Sequence, residues 1–441
     1  MNVFKTHLVQ QSQTPALPPK PKDALRILHT SDWHLGKLLY NQPRYHEFAN
    51  FLDWLQDSLV EFEVDVLIVA GDIFDTMAPS NRAEHLYHQF LATAFKRHIK
   101  HIIIVAGNHD SPTSLQKTKE VLGVLNTHVV GSISQNMADD IITLYDDDTP
   151  LAIVMTVPYL RDRDVRGSID PEQVEHHDKL LLSAVADYYH SLAKLAKKRQ
   201  DELKKTYQIS VPIIATGHLY AAGASVSSAD DGMRDIQIGT LGQISASIFD
   251  DTIDYVALGH IHAAQKVGKQ ERIRYCGSPI AMGFGEIGRQ KQVLIIDIHK
   301  ENNDKKQLSI NSLPVPIFQG LAKIAGDMTF IQNCLDKLKA TQQEVWLEIE
   351  YTGETLIGNL KQQIDTLLDD SKLVAISIKN KARHQGSLQA AVWIDNPKNL
   401  DEMDIFLKRL NKEKITNEDK EQLILAYQSL LKSLHEQDGN A

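Results

Sequence analysis

The sequence predicts a layered α/β fold over roughly its first 300 residues, followed by a small second α/β domain and a helical tail. Three observations predict it. Short runs rich in Ile and Val end abruptly at residues of a different chemical type. Amphipathic helical patterns lie between the early runs. The texture of the chain changes after Asp297.

Each run reads as a fully buried strand, being short, apolar and closed by glycine or polar residues. Arg26-Ile27-Leu28-His29-Thr30 runs into Ser31-Asp32-Trp33-His34. Val64 to Ala70 runs into Gly71-Asp72. His101 to Ala106 runs into Gly107-Asn108-His109-Asp110. Val211 to Thr216 runs into Gly217-His218, and Asp254 to Leu258 into Gly259-His260-Ile261-His262. Phe48, Leu52, Leu55 and Leu59 repeat near the helical period, as Leu86, Phe90 and Phe95 do more loosely. Asp178 to Lys205 carries an apolar stripe of Leu181, Leu182, Val185, Tyr188, Tyr189 and Leu192. Its lysines are one candidate surface for DNA, although such a run is ordinarily a solvated face.

After Asp297, His299 to Asn311 is polar and reads as a linker or hairpin. Helical patterns at Phe330–Leu338 and Leu356–Leu368 then alternate with strand patterns at Val345–Tyr351 and Val374–Ile378. Residues 401–441 read as helical, with Leu423, Tyr427, Leu430, Leu431 and Leu434 on one face. Residues 1–24 are Pro-rich and read as a flexible tail, neither signal peptide nor membrane span.

The chain has 441 residues, of which 42 % are hydrophobic and 24 % charged, as in a globular protein with more than one core. No segment approaches the roughly 18 consecutive apolar residues of a spanning helix. Its net charge of −10 argues against a protein that coats DNA through its own positive surface, but not against a nucleic-acid enzyme. Acidic metal ligands add negative charge that bound cations offset. Cys276 and Cys334 have neither zinc nor redox spacing and read as buried thiols in a cytoplasmic protein.

In layered α/β sheets, ligands sit beyond the carboxyl ends of the strands. Asp32, His34, Asp72, Asn108, His109, His218, His260 and His262 all fall there. They offer carboxylate, amide and imidazole donors without sulfur, a set suited to Mn²⁺, Fe²⁺ or Zn²⁺. They suffice for two ions bridged by a carboxylate such as Asp72, about 3.5–4 Å apart. An ion pair of that kind orients a phosphate and acidifies water for attack on phosphorus. An imidazole not spent on metal is free to stabilise charge or protonate the leaving oxygen. Each motif alone is weak. The five together, in order and each closing an apolar run, are not explained by turn formation.

Asp32-Trp33-His34, Gly71-Asp72-Ile73-Phe74-Asp75, Gly107-Asn108-His109-Asp110, Gly217-His218 and Gly259-His260-Ile261-His262 resemble the calcineurin-like metallophosphoesterase superfamily. The strings at 29–37, 71–80 and 275–286 narrow the resemblance to the nuclease subunits of bacterial SbcCD-type complexes. The resemblance implies a layered β-sandwich metallophosphoesterase core at 25–298, flanked by helices. It also implies a small α/β, DNA-facing cap at 312–400 and a helical partner-binding segment at 401–441. It implies that Asp32, His34, Asp72 and His262 hold a first Mn²⁺ and that Asp72, Asn108, His218 and His260 hold a second. His109 would be the catalytic imidazole and Asp110 would orient it. Asp75 gets no role, because some relatives carry histidine there. The implied activities are 3′→5′ exonuclease action on duplex DNA and endonuclease cutting of single strands and hairpins. The implied partner is an SbcC-type ATPase in a heterotetramer, with a homodimer of this chain. ATP dependence would come from that partner, since the sequence has no phosphate loop of its own. Lys379, Lys381 and Arg383 are candidate phosphate contacts. A phosphomonoesterase or small-nucleotide phosphodiesterase shares the same ligands and is the competing reading.

Overall fold

Residues within the apolar runs alternate between two buried environments, which is why the runs carry no polar face. The computed structural model describes residues 2–9, 17–165, 177–221, 244–300, 306–355 and 357–382, and beyond them only 403, 406, 407, 410, 420, 423, 424, 427 and 428. One six-stranded sheet has the order β15 (Lys306–Pro314), β14 (Gln292–Lys300), β2 (Leu25–Thr30), β5 (Val66–Ala70), β6 (His101–Val105), β7 (Thr127–Val130). The other has the order β12 (Gln265–Val267), β13 (Gln270–Tyr275), β11 (Tyr255–Gly259), β10 (Ile213–His218), β9 (Thr149–Met155), β8 (Ile141–Asp146). Ile27, Val66, Ile68, Ile103 and Val105 of the first sheet share one core with Ala152, Val154, Ile214, Tyr255 and Ala257 of the second. Their sequence neighbours face the other way. Leu28, Leu67, Val69, Ile102 and Ile104 share a core with residues of the helices Tyr45–Glu61 and Asn81–Lys96. Ile153, Met155, Ile213, Ala215, Val256 and Leu258 do so with the helix His177–Tyr207. The core is thus a β-sandwich with helices on both outer faces.

Strands β2, β5 and β6 run parallel, as do β10 and β11. Their carboxyl ends carry the chemically loaded residues. The Lys-rich helix keeps Leu181, Val185, Tyr189 and Leu192 buried and spends Lys197 on Asp201 at 2.9 Å, in keeping with a solvated basic face.

Strand β14 closes onto β2 with Arg26 directly opposite Asp297. The guanidinium donates from Nε to Asp297 Oδ1 at 2.7 Å and from Nη2 to Oδ2 at 2.8 Å, both side chains being almost fully buried. Asp297→Ala leaves the buried guanidinium without its counter-charge, with only the carbonyls of Phe62 and Pro18 as acceptors, and is expected to cost about 3–5 kcal/mol. Denaturant unfolding of the variant beside the parent checks this; a loss under about 1 kcal/mol would remove the pair from the list of core fasteners.

The small domain is a four-stranded sheet in the order β1 (Val3–His7), β16 (Gly320–Gly326), β17 (Val345–Tyr351), β18 (Leu373–Asn380). The helices Met328–Lys339 and Leu360–Leu368 cover one face, where Leu347 and Ile349 meet Leu335 and Ile364. Asp327 caps the first helix through the Phe330 N–H. The opposite face meets the sandwich: Leu321, Trp346 and Ile376 cluster with Leu39, Phe284 and Ile287. Tyr40, in the turn between β3 (Leu38–Leu39) and β4 (Gln42–Pro43), donates to Glu348 Oε2 at 2.6 Å.

Two expectations are corrected. The reading of residues 1–24 as a flexible tail fails at Val3–His7, which pair antiparallel with Leu321–Ala325. Without that strand the outer edge of β16 would leave its backbone groups unpaired, and Phe4 packs against the small domain's core. The sandwich does not stop at 298, because His299–Asn311 belongs largely to the β14–β15 hairpin, which reaches Pro314. The candidate phosphate contacts Lys379 and Lys381 lie 2.8 Å from Glu348 and 3.2 Å from Glu350, with side chains 35% and 53% exposed. Arg383, Leu430, Leu431 and Leu434 lie outside the described residues. In the tail, Tyr427 stacks on Phe406 with ring centroids 4.0 Å apart, and Leu423 is exposed.

Candidate metal centre

The loop after β2 is zipped to the loop after β5: Asp32 N–H donates to Gly71 O, His34 N–H to Asp72 O and Leu35 N–H to Ile73 O, all at 2.9–3.0 Å. Asp32, His34, Asp72 and His260 have φ of 54°, 48°, 51° and 97°. Such left-handed backbone is rare for residues with a side chain and is characteristic of functional sites. It turns the chain back at each strand end. Glycine beside these positions allows close approach. A Cβ on Gly107 would lie 2.1 Å from Asp72 Oδ1, and one on Gly71 2.1 Å from His218 Nδ1.

These turns bring the seven expected ligands together. His34 Nε2 and His262 Nε2 face each other at 3.1 Å, and donor atoms of Asp32, His34 and His262 all lie within 4.8 Å of one another. Asp72, His218 and His260 form a second such group. Asn108 Oδ1 lies 3.0 Å from both His218 Nε2 and His260 Nδ1. Asp72 Oδ2 sits between the groups, 3.6 Å from His34 Nε2 and 3.2 Å from His218 Nε2.

The donor set fits divalent cations. Asp32 and Asp72 bring buried negative charge, and imidazole nitrogens point at one another rather than at partners of opposite polarity. His218 Nδ1 lies 2.9 Å from the carbonyl of Ala70, which can only accept, so Nδ1 carries a proton and Nε2 is the nitrogen turned to the centre, where an ion would displace any proton it holds. Burial resists the charge on Asp72, yet His218 and His109 hold its carboxyl well below the usual range. Burial also works against charge on His218, but Asp72 more than offsets it and pushes the ring up to about 9. His260 is lowered to about 4 by burial.

His109 sits beside this centre. Its backbone N–H donates to Asp72 Oδ1 at 2.9 Å, and its Nδ1 lies 2.8 Å from the carbonyl of Asp75. By the same reasoning Nδ1 bears the proton. Burial lowers its basicity, but the charges of Asp72 and Asp75 prevail and raise it.

Asp110 does not orient His109. Its carboxylate accepts from the N–H groups of Gly107, Ile73 and Phe74 at 2.8–3.1 Å, tying two strand-end loops together. Burial, with the charge of Asp72, pushes it up to about 6. The orienting group for His109 is the backbone of Asp75, and a main-chain contact leaves no residue-type signal in a sequence. The side chains behind the first donor group were also missed: Asp75 beside His34, and Glu286 beside His262. Glu286 ends the string at 275–286, so a cue was present without a role attached.

Fold and centre together define a calcineurin-like phosphoesterase, and the model of that family, "Calcineurin-like phosphoesterase", matches residues 25–264. A second model, "Type 5 capsule protein repressor C-terminal domain", matches residues 317–414. Within the phosphoesterases the chain belongs to the SbcD family, the nuclease subunits of SbcCD. It is 35% identical to SbcD from Escherichia coli K12, over 93% of this chain and 98% of the relative. The Bacillus subtilis SbcD is 28% identical over 74% of this chain and 78% of its own length. The Rhodobacter capsulatus SbcD is 32% identical over 62% and 66%.

Proposed function

We propose that this chain is a two-cation nuclease that hydrolyses DNA phosphodiester bonds as the partner of an SbcC-type ATPase. The observation that carries the proposal is Asp72 Oδ2 lying between two donor groups, within 3.6 Å of His34 Nε2 and 3.2 Å of His218 Nε2. In this reading Asp32, His34, Asp72 and His262 hold the first ion, and Asp72, Asn108, His218 and His260 the second. When bound, a divalent pair supplies Lewis acidity at the phosphate and acidifies water. Mn²⁺ suits the sulfur-free donor set, with other divalent transition ions as substitutes. His109, with Nδ1–H committed to the Asp75 carbonyl, would carry a second proton on Nε2 in its imidazolium form, which the charges of Asp72 and Asp75 favour, and would pass that proton to the leaving oxygen. Asp72 fixes the same residue through its backbone N–H. Both contacts hold the imidazole in one orientation.

The nuclease action and the ATPase partner rest on the names of the relatives, together with the second matched model at 317–414. The finer activities proposed are 3′→5′ exonuclease action on duplex DNA and cutting of single strands and hairpins. ATP dependence is conferred by the partner in a heterotetramer built on a dimer of this chain. The proposed units are the catalytic core from residue 25 through Pro314, the cap that follows it to residue 400 with Val3–His7 as its edge strand, and the partner-binding segment from 401. Two free buried cysteines fit a cytoplasmic setting, and no helix among the described residues is long and apolar enough to cross a membrane.

The test gives the full chain with Mn²⁺ a labelled DNA hairpin and, in parallel, a chromogenic phosphate monoester. Cleavage of the hairpin with slow ester turnover is expected. Rapid turnover of the ester beside intact DNA would replace the proposal with a small-molecule phosphoesterase.

A further inference from the structure

Two carboxylates lie behind the centre and belong to neither proposed ligand set. Asp75 Oδ1 lies 3.2 Å from His34 Nδ1 and 3.0 Å from Lys37 Nζ. Glu286 Oε1 lies 3.7 Å from His262 Nδ1, and its Oε2 lies 2.5 Å from Lys291 Nζ. The two arrangements match: an imidazole whose Nε2 faces the centre, a carboxylate at its far nitrogen, and a lysine behind the carboxylate. Glu286 is fixed further by the Met282 N–H at 2.9 Å, and Lys291 by Ser278 Oγ at 2.8 Å. The Glu286 and Lys291 side chains are 4% and 7% exposed, so the pair is built into the core rather than resting on it. Both far nitrogens, His34 Nδ1 and His262 Nδ1, are buried and make no aligned hydrogen bond, so the carboxylates at 3.2 Å and 3.7 Å are charged neighbours placed to take up their N–H once the rings settle on an ion.

His218, in the second donor group, is held differently. Its Nδ1 meets the neutral carbonyl of Ala70. A carboxylate behind a ligand imidazole fixes its tautomer and raises its donor strength. A backbone carbonyl fixes the tautomer with less gain in basicity. Leaving the carboxylates bare and buried would be costly, and the lysines offset that cost.

We propose that Asp75 and Glu286 are positioning residues for the first cation site, holding His34 and His262 ready for the ion, and that this site binds its ion more tightly than the second. The inference rests on the two-ion reading. It assigns work to Glu286, which closes the string at 275–286, and to the side chain of Asp75.

The metal-free full chain is titrated with Mn²⁺ by calorimetry, with the electron paramagnetic resonance of Mn²⁺ followed in parallel. Two binding events are expected for the parent. Asp75→Asn is expected to weaken the tighter event by roughly 10–100-fold and leave the weaker one in place. Asp75→Glu should recover part of the loss. Glu286→Gln is made together with Lys291→Met, so that no buried cation is stranded, and should reproduce the selective loss. An unchanged tighter event in both variants would overturn the inference. So would equal weakening of both events, or loss of the folded circular dichroism signal in both variants, since either outcome marks a general structural role. Fewer than two ions per parent chain would instead overturn the two-ion reading itself.

Discussion

Asp72→Ala is expected to lower the metal content at both sites and reduce DNA cleavage on the order of 10⁴-fold, because several kcal/mol of transition-state stabilisation leave with the ions. The argument is geometric. Among the described residues, Asp72 is the carboxylate shared by a donor group of His34, Asp72 and His109 and the group of Asp72, His218 and His260. Removing it also removes the acceptor for the His109 backbone N–H. The fold should survive, because the neighbouring loop is held by the Asp72 carbonyl rather than its side chain. Elemental analysis after dialysis, with a nuclease assay on the same sample, checks both halves. A variant that still carries two ions would remove Asp72 as the bridge.

His109→Ala should separate chemistry from metal binding. The imidazole is not needed to complete either proposed ligand set, so two ions should remain. Cleavage should fall by about 10²–10⁴-fold, the usual contribution of a positioned proton donor. The contrast with Asp72→Ala is the informative part: the same assay collapses in both, but metal content falls in only one. Activity that persists at the parent's level would show that proton transfer to the leaving oxygen does not run through His109.

The strands were legible because burial on both faces demands apolar side chains at every position, and no other element of that length does. Leu28 faces the helices and Ile27 the opposite sheet, so neither can be polar. The donor residues were legible for the complementary reason. Asp32, Asp72 and His218 are almost fully buried, and a sequence rarely ends an apolar strand that way without a partner for the charge. What was not legible was side-chain direction. Asp110 stands next to His109 in sequence, yet its carboxylate points into the loop amides of Ile73 and Phe74. Glu286 is more than twenty positions from His262 and reaches it only because the chain returns to the same strand end. Val3–His7 lacked a readable signal for another reason: five residues have little periodicity of their own, and their partner strand lies at the other end of the sequence.

That pairing has a consequence for how the protein is made. Val3 aligns with Ala325, so this strand must wait for more than 300 further residues before its neighbour exists. At translation speeds of roughly 5–20 residues per second the wait is on the order of tens of seconds, during which its hydrogen-bonding edge is open to other nascent chains. The catalytic sandwich can collapse while Val3–His7 still lacks the sheet it borders, which makes the last docking step the one most exposed to aggregation and to chaperone capture.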